Sequence, residues 1–414
     1  MDRLFNSKTS RIPPIRRDLQ IIPVEDNGRE LLVFYDSMKL VKQGFALDRS
    51  VEPILSLIDG RKSIEELTTY FGNGADKEQI LNFIRMLDQE LLLESEFYRS
   101  ESEQLERDFE SAGIREPALA GASYPADPAE CSAFVDNILS KAGDQQSMVQ
   151  RSMGKNSPKA LYAPHIDLRV GGKQYGEAFS LLKNIEPERV VILATSHYSG
   201  YHPTLYDGLP FIGSTKSYKL PGRLLKADQP SVEALSEKGA DIGFTTRDRA
   251  NRIEHSIETH LLFASHLWTH DFQIVPVLVS GIDELFYMRD GDMAKKIAAF
   301  ADALREQDTD ETFYLISGDL SHVGKKFGDP VPASTMRSDV EAFDQRFIDI
   351  AAAGNEASMV EHMAENYDPF RICGFPPLYT FIKMFPELEG RTLNYHWWDE
   401  SERESAVSFG SILY

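Results

Sequence analysis

The stretch Thr312-Phe-Tyr-Leu-Ile-Ser-Gly-Asp-Leu-Ser-His322 joins an apolar run to a polar turn, and this combination decides the fold. Three other short apolar runs share its character, at residues 159–163, 189–194 and 272–279. Amphipathic segments separate the four runs, as in α/β proteins whose central sheet is covered by helices. The sequence therefore predicts an α/β fold with helices flanking the sheet.

Polar residues follow three of these predicted strands at the point where each strand ends. His165 follows the first strand, His197 the second, and Asp319 and His322 the last. Ligands of open α/β sheets bind beyond the carboxyl ends of the strands, where loops carry the polar groups. A single histidine is more often a structural residue, but the repeated position favours one shared site.

The segment Arg252-Ile-Glu-His-Ser-Ile-Glu-Thr-His260 adds further polar side chains. On a helix, His255 and Glu258 are three residues apart and face the same way. This spacing suits a pair of metal ligands, an imidazole supported by a carboxylate, or a polar pair on an amphipathic helix. These interpretations stay open, and His260 is expected on a solvated face.

The chain of 414 residues has two cysteines, Cys131 and Cys373. Cysteine is more often a small buried apolar residue than a ligand, and Cys131, in a helix-like segment, fits that role. Cys373 lies in a turn-rich segment before a proline pair, where Gly374 permits a close backbone approach. From the residues alone, Cys373 is a core residue, a nucleophile or a metal ligand.

Length, charge and cysteine content set the broad class of protein. A chain of this length is expected to form two domains, and its apolar runs are too short to span a bilayer. The formal charge of -21 would repel nucleic acid and anionic lipid, so neither is an expected partner. Two cysteines and an N-terminus without an apolar core indicate the reducing cytoplasm rather than secretion.

Residues 18–98 read as a small domain of their own. A β-prone run at 31–35 precedes three predicted helices, one of which opens with Ser63 and Glu66 at the spacing of a capping box. A strand or wing at 91–97 would complete a winged-helix module. From periodicity alone, packing or dimerisation is the simplest role for such a domain.

The charged residues 99–117 are expected to form a solvated linker, with a helix as an open alternative, so that residues 118–414 make up the second domain. Within the first domain, "ILSLIDGRKSIEELTTYFG" and "FIRMLDQELLLE" resemble the PqqD-like winged-helix domains. That resemblance implies binding of a peptide or partner protein, with no chemistry of the small domain's own.

The second domain carries six motifs in the order of the Memo family: "LAGASYPADP", "APHIDLRVGG", "LATSHYSG", "IEHSIETHLLF", "ISGDLSHVG" and "RICGFPPL". The resemblance implies a mixed sheet like that of the class III extradiol dioxygenases, which hold non-haem iron(II) with two histidines and a carboxylate. A PqqD-like module joined to this domain resembles the AmmeMemoRadiSam system protein B type. That arrangement implies a radical SAM enzyme and an AMMECR-like protein as partners.

The Memo resemblance also implies a set of metal ligands. His165 and His197 would bind the metal through their imidazoles, and Cys373 would bind it through its thiolate. Asp319 and His322 would line the same pocket as ligands, bases or supporting residues. We assign these two to catalysis, because an unligated His322 could shuttle a proton.

Three further residues are expected beside these ligands. His255, in "EHSIE", would lie nearby, and Glu258 would support an imidazole. The family's first motif usually reads Pro-His-Ala-Gly-Tyr, whereas Ile166-Asp167-Leu168 follow the histidine in this sequence. Asp167 would either add a carboxylate near the metal or pair with Arg169.

A site with three protein ligands leaves positions open for dioxygen or substrate, which makes iron(II) the expected cofactor. A thiolate softens the site, so copper(I) and zinc are the alternative metals. The expected function is an iron-dependent redox or dioxygenase-like protein that acts on a peptide delivered by the small domain. Two other functions stay open: a non-catalytic module that binds peptides or partners, and a metal-handling or redox-protective protein.

Overall fold

A computed structural model describes residues 3–71, 76–141 and 157–414. The chain forms two compact units, Met1–Ser111 and Ala112–Tyr414, and each buries its own hydrophobic core. Across the described ranges, no helix combines the length and the apolarity that a membrane crossing requires.

The first unit combines a three-stranded antiparallel sheet with helices. A hairpin aligns Leu19 with Asp36 and Asp26 with Arg29, and a third strand joins the second. The described strands are β1 (Leu19–Asp26), β2 (Arg29–Asp36) and β3 (Ala46–Asp48), and the α-helices are α1 (Glu52–Leu55), α2 (Ile64–Phe71), α3 (Lys77–Gln89) and α4 (Glu96–Ser111).

Local signals account for the helices of this unit. The capping box before α2 is confirmed: the Ser63 N–H donates to Glu66 Oε2 over 2.7 Å, and the Glu66 N–H donates to Ser63 Oγ over 3.2 Å. Ile80, Ile84 and Leu87 of α3 are buried at the spacing of one helix face. These side chains join the hydrophobic core of the unit.

The strand predicted for residues 91–97 is wrong. This segment contributes a single bridge, between Ile15 and Leu93, before the chain enters α4. The Ser95 hydroxyl accepts the Tyr98 N–H over 3.0 Å, which caps the new helix. The cap therefore begins a helix where the apolar run alone indicated a strand.

Helix α4 also takes up most of the expected linker at residues 99–117, and the division between the units follows Ser111. The helix is strongly charged and carries side-chain pairs one turn apart. Gln104 donates to Asp108 over 2.7 Å, for example. Such pairs stabilise a strongly charged helix.

In its described residues, the second unit is built on a twelve-stranded mixed sheet. Its strands are β4 (Ile114–Arg115), β5 (Ala160–Ala163), β6 (Arg189–Thr195), β7 (Phe211–Gly213), β8 (Ser217–Leu220), β9 (Arg223–Ala227), β10 (Phe244–Thr245), β11 (Gln273–Val279), β12 (Thr312–Ser317), β13 (His322–Gly324), β14 (Arg391–Glu400) and β15 (Ser405–Leu413). The four apolar runs of the sequence form β5, β12, β6 and β11, which lie side by side and parallel in that order. Their carboxyl ends therefore meet at one edge of the sheet.

Helices flank this sheet, which confirms the predicted α/β class. Alternate residues of β6 face opposite sides: Val190 and Ile192 join one hydrophobic cluster, and Val191 and Leu193 join the other. Burial on both faces explains why the strands are uninterrupted apolar runs. The described helices are α5 (Pro128–Ser140), α6 (Leu168–Phe179), α7 (Gln229–Lys238), α8 (Ser256–Leu267), α9 (Asp292–Arg305), α10 (Arg337–Ala352), α11 (Glu356–Ala364) and α12 (Phe375–Met384).

Candidate metal centre

Four of the predicted polar residues lie at one edge of the sheet. His165 comes shortly after β5, His197 after β6 and Asp319 after β12, and His322 begins β13. Because β5, β12 and β6 are adjacent and parallel, their carboxyl ends bring these side chains to one place. The ring centroids of His165 and His197 are 4.8 Å apart.

Cys373 joins this group from the turn before α12. The Asp319 N–H donates to its Sγ over 3.3 Å, and the Thr195 hydroxyl donates to its carbonyl oxygen over 2.7 Å. Its Sγ lies 3.4 Å from Nε2 of His165. The turn that carries the thiol is therefore bonded directly to the ends of the histidine-bearing strands.

Two glycines allow this close approach. A Cβ atom on Gly318 would collide with the backbone of Gly374, and one on Gly374 would collide with the Tyr162 hydroxyl. The Gly374 N–H also donates to the Asp319 carbonyl over 2.9 Å. Glycine is required at both positions by lack of space, since any side chain would push the thiol away from the strand ends.

Three sets of side chains in the described residues bring their ligand atoms within 4.8 Å of one another. The first set is the one that the family resemblance implies, and the other two each share one residue with it. The sets are His165, His197 and Cys373; Asp319, His322 and Cys373; and His197, Glu254 and His255.

Hydrogen bonds hold two of the imidazoles with Nε2 available. The Ser317 hydroxyl donates to the Ser256 carbonyl over 2.7 Å, so it accepts the Nδ1–H of His165 over 3.2 Å. His322 donates its Nδ1–H to two backbone carbonyls, over 3.0 and 3.1 Å. A proton on Nδ1 leaves Nε2 with a lone pair, which is the form in which histidine binds a metal.

Glu254 is a site residue that reasoning from the sequence misses. Its Oε1 accepts the Nδ1–H of His197 over 2.9 Å, and its Oε2 accepts the backbone N–H of His197 over 2.7 Å. Oε1 also accepts the backbone N–H groups of His255 and Ser256, over 2.9 and 3.2 Å. The available signal was its place directly before His255, but its contact with His197 spans 57 positions and follows from no local spacing rule.

The predicted pair of His255 and Glu258 is not formed. Helix α8 begins at Ser256, so His255 precedes the helix and does not share a face with Glu258. The Glu258 carboxylate pairs with Arg115 and accepts a hydrogen bond from the Tyr124 hydroxyl over 2.5 Å. Glu258 is fully buried and stabilises the core beside the site rather than an imidazole within it.

Asp167 and His260 both support the scaffold. Asp167 caps α6 and accepts hydrogen bonds from the Arg169 guanidinium over 2.8 and 2.7 Å, which is one of the two alternatives left open. His260 is buried, not solvated as expected, because α8 is buried along residues 256–264. It donates from Nε2 to the Pro164 carbonyl over 2.9 Å, which fixes the residue before the first site histidine.

Burial and neighbouring charges shift the pKa values of the site residues in different directions. Burial raises the pKa of Asp319 to about 7 and lowers the pKa of His322 to about 4. Burial also raises the pKa of Cys373. For His197, burial disfavours the cation, but Glu254 and Cys373 outweigh it and raise the pKa of this imidazole well above its usual value. In the metal-free site, the His197 imidazole is therefore in its cationic form beside the thiol.

A cavity of about 260 Å³ adjoins His197 and Cys373. Asp283, Asp368 and Arg371 also line it, so a ligand in the cavity would meet charges of both signs. A volume of this order suits a small molecule or a single side chain of a larger substrate.

The donor set fits a transition metal. Two imidazoles and one thiol converge, and each imidazole has its Nδ1 engaged by a neighbouring acceptor. Nitrogen and sulfur donors suit iron, copper and zinc, and Cys373 would release its proton on binding.

The family profile described as "Memo-like protein" matches residues 115–413. A MEMO1 family protein from Aquifex aeolicus is 28% identical over 381 residues, which cover 90% of this chain and 93% of the relative. MEMO1 family proteins from Thermus thermophilus and Methanopyrus kandleri are 25% and 26% identical, over 84% and 68% of this chain and 97% and 91% of their own lengths. The Aquifex match is longer than the second unit and so includes part of the first. The chain belongs to the Memo-like protein family.

Proposed function

We propose that this protein binds iron(II) through His165, His197 and Cys373 and acts as a redox or dioxygenase-like protein. The observation that carries the proposal is the convergence of these three ligand atoms within 4.8 Å of one another. They come from two strand ends and from the turn before α12, and hydrogen bonds fix each of them. Such preorganisation of ligands by packing and supporting hydrogen bonds favours a resident metal.

The donor chemistry limits the metals that fit. Two imidazoles and one thiolate suit iron(II), copper(I) and zinc, whereas magnesium and calcium prefer oxygen ligands. Iron(II) held by three protein groups would supply electrons and open positions for dioxygen or substrate. A protein that held only copper(I) or zinc would instead act in metal handling or redox protection.

Asp319 and His322 stand beside Cys373 and are proposed to move protons. Their ligand atoms and that of the thiol lie within 4.8 Å of one another. Burial raises the pKa of Asp319 to about 7, so both its protonated and its charged forms occur near neutral pH. His322 has a free lone pair at Nε2, because its Nδ1–H is bonded to backbone carbonyls. The two residues together offer a proton donor and a proton acceptor, as general acid–base catalysis requires.

We further propose that the first unit is PqqD-like and binds a peptide or partner protein. Among the described residues, β1 pairs only with β2, and Ile21, Ile22 and Val24 along it are exposed. An open strand edge with apolar side chains supports addition of a peptide strand. The AmmeMemoRadiSam arrangement makes a radical SAM enzyme and an AMMECR-like protein the partners to test.

The proposed compartment is the reducing cytoplasm. Cys131 and Cys373 are both free thiols, which supports this location, since secreted proteins tend to pair their cysteines.

Anaerobic purification followed by elemental analysis tests the metal proposal. Wild-type protein is expected to carry about one iron per chain, and His165→Ala, His197→Ala and Cys373→Ala should each lose most of it. His266→Ala is the matched control, because this histidine bonds Asp136 away from the site. Full iron retention in the three site variants, or equal loss in the control, would refute the ligand set.

Oxygen consumption separates an enzyme from a binding protein. With ascorbate as reductant, iron-loaded wild-type protein is expected to consume dioxygen faster than protein with His322→Gln, which lacks the proposed proton acceptor. Equal rates, combined with tight capture of a peptide by the first unit, would favour the non-catalytic binding module.

A further inference from the structure

One buried carboxylate holds two of the imidazoles in the candidate metal centre. Glu254 Oε1 accepts the Nδ1–H of His197 over 2.9 Å and lies 3.2 Å from Nδ1 of His255. The Glu254 side chain is 1% exposed, and no lysine or arginine of the described residues pairs with it. The two imidazoles are therefore the side chains that contact this buried carboxylate.

The position of Glu254 is fixed from outside the site. Arg115 donates to the carbonyl of Glu254 and, over 3.2 Å, to the carbonyl of Asn251. The Ser256 hydroxyl donates to the Thr195 carbonyl over 2.7 Å, which ties the segment to the end of β6. A carboxylate anchored on both sides in this way can orient a ring that binds it.

The two rings that share this carboxylate are also stacked. His197 and His255 have centroids 4.7 Å apart and an interplanar angle of 22°. His255 lies edge-on to His165, with centroids 5.2 Å apart. Since Nδ1 of both His197 and His255 is directed at Glu254, the other ring nitrogen of each is left for a different partner.

We propose that Glu254 is the positioning residue of the metal centre, which fixes His197 as a ligand through Nε2 and holds the His255 ring stacked beside it. This inference rests on the proposed metal function and deepens it. A carboxylate that accepts the Nδ1–H of a metal-bound histidine sets the ring orientation and raises its basicity. Loss of such a carboxylate lowers metal affinity by about 10–100-fold.

Glu254→Gln tests this role, with Glu258→Gln as the matched control. A carboxamide has one acceptor oxygen, so it cannot accept N–H groups at both ends as Glu254 does. Glu258 is a buried carboxylate of the same segment, but its partners are Arg115, Tyr124 and two backbone N–H groups rather than imidazoles. Co²⁺ titration measures affinity, and ring-nitrogen NMR of the metal-free protein follows the Nδ1–H groups.

The expected result for E254Q is an affinity for Co²⁺ lower by about 10–100-fold and weaker Nδ1–H hydrogen bonds at His197 and His255. E258Q should lower the melting temperature and change neither readout.

If E254Q does not fold, Glu254→Asp replaces it, because a shorter carboxylate cannot keep both contacts with His197. Unchanged Nδ1–H resonances in the Glu254 variant, or equal changes in E258Q, would overturn the inference. If wild-type protein binds no Co²⁺, the proposed metal function fails, and the NMR comparison still decides the role of Glu254.

Discussion

The Sγ of Cys373 lies 3.4 Å from Nε2 of His165, although 208 residues separate them in the chain. A hydrogen bond orients each of these groups. The Asp319 N–H donates to the sulfur, and the Ser317 hydroxyl accepts the Nδ1–H of the imidazole. The fold alone thus sets the distance between two of the proposed ligands. The reactivity of Cys373 should therefore report on the site directly.

Iodoacetamide is expected to alkylate Cys373 and to spare Cys131 in metal-free protein. Cys373 lines the cavity of about 260 Å³, whereas Cys131 is 4% exposed. Burial raises the pKa of both thiols, so access of the reagent to the sulfur decides the difference. Added Zn²⁺ should slow alkylation of Cys373 by roughly tenfold or more, because a metal-bound thiolate is not free to react. Peptide mass spectrometry measures both cysteines in one sample, so Cys131 is an internal control. Alkylation that zinc does not slow would contradict ligation by this thiol.

The central strands can be predicted from the sequence because burial on both faces of the sheet allows only a few residue types in them. Strands buried on both faces must be apolar throughout, which makes runs such as Arg189–Thr195 stand out. Parallel strands also end at one edge, so His165, His197 and Asp319 could be grouped without any knowledge of their contacts. Both arguments depend only on local sequence and on a general rule of sheet geometry.

The contacts of Glu254 and Glu258 could not be predicted from local sequence in this way. A spacing of three residues implies a shared face only inside a helix, and α8 begins one residue after His255. Helix boundaries are uncertain by one or two residues even in known structures, so the sequence could not exclude the pair. The contact of Glu254 with His197 crosses from one loop to another, and no periodicity encodes it.

Arg115→Met is expected to lower the free energy of unfolding of the second unit by about 3–5 kcal/mol, because it leaves the Glu258 carboxylate buried without its partner. The two side chains are 1% and 0% exposed. The double variant Arg115→Met/Glu258→Leu should recover part of the loss, since no buried charge then remains. Urea unfolding followed by circular dichroism measures all three proteins. Losses that simply add in the double variant would show that the pair is not coupled.

Ser63→Ala is expected to destabilise α2 by about 1 kcal/mol, because the capping box loses its hydroxyl acceptor. Ser63 Oγ accepts the Glu66 N–H over 3.2 Å in the folded protein. Amide hydrogen exchange within α2 measures the effect on that helix alone. Thr69→Ala is the control, since the Thr69 hydroxyl bonds only the Glu66 carbonyl of its own helix and alanine is the better helix former. Equal exchange in wild type and S63A would mean that the cap contributes nothing.

Asp344 of α10 is a fully buried carboxyl group. It accepts hydrogen bonds from the hydroxyls of Ser321 over 2.6 Å, Tyr395 over 3.0 Å and Ser408. Burial raises the pKa of Asp344 to about 6, although these hydroxyl donors act in the opposite direction. The folded protein therefore binds this proton more tightly than the unfolded chain does, where the pKa of aspartic acid is about 3.9.

This difference gives the stability of the second unit a defined dependence on pH. The favourable contribution of protonated Asp344 is fully present below about pH 4 and is lost as the pH rises through about 6. Two pKa units correspond to about 3 kcal/mol, so Asp344→Asn, which cannot ionise, should gain up to this amount relative to wild type between about pH 4 and about pH 7. Urea unfolding at both pH values measures the gain, and Asp349→Asn, an exposed position on the same helix, controls for removal of a carboxylate. A constant difference between D344N and wild type across this range would show that the Asp344 carboxyl titrates no differently in the folded protein.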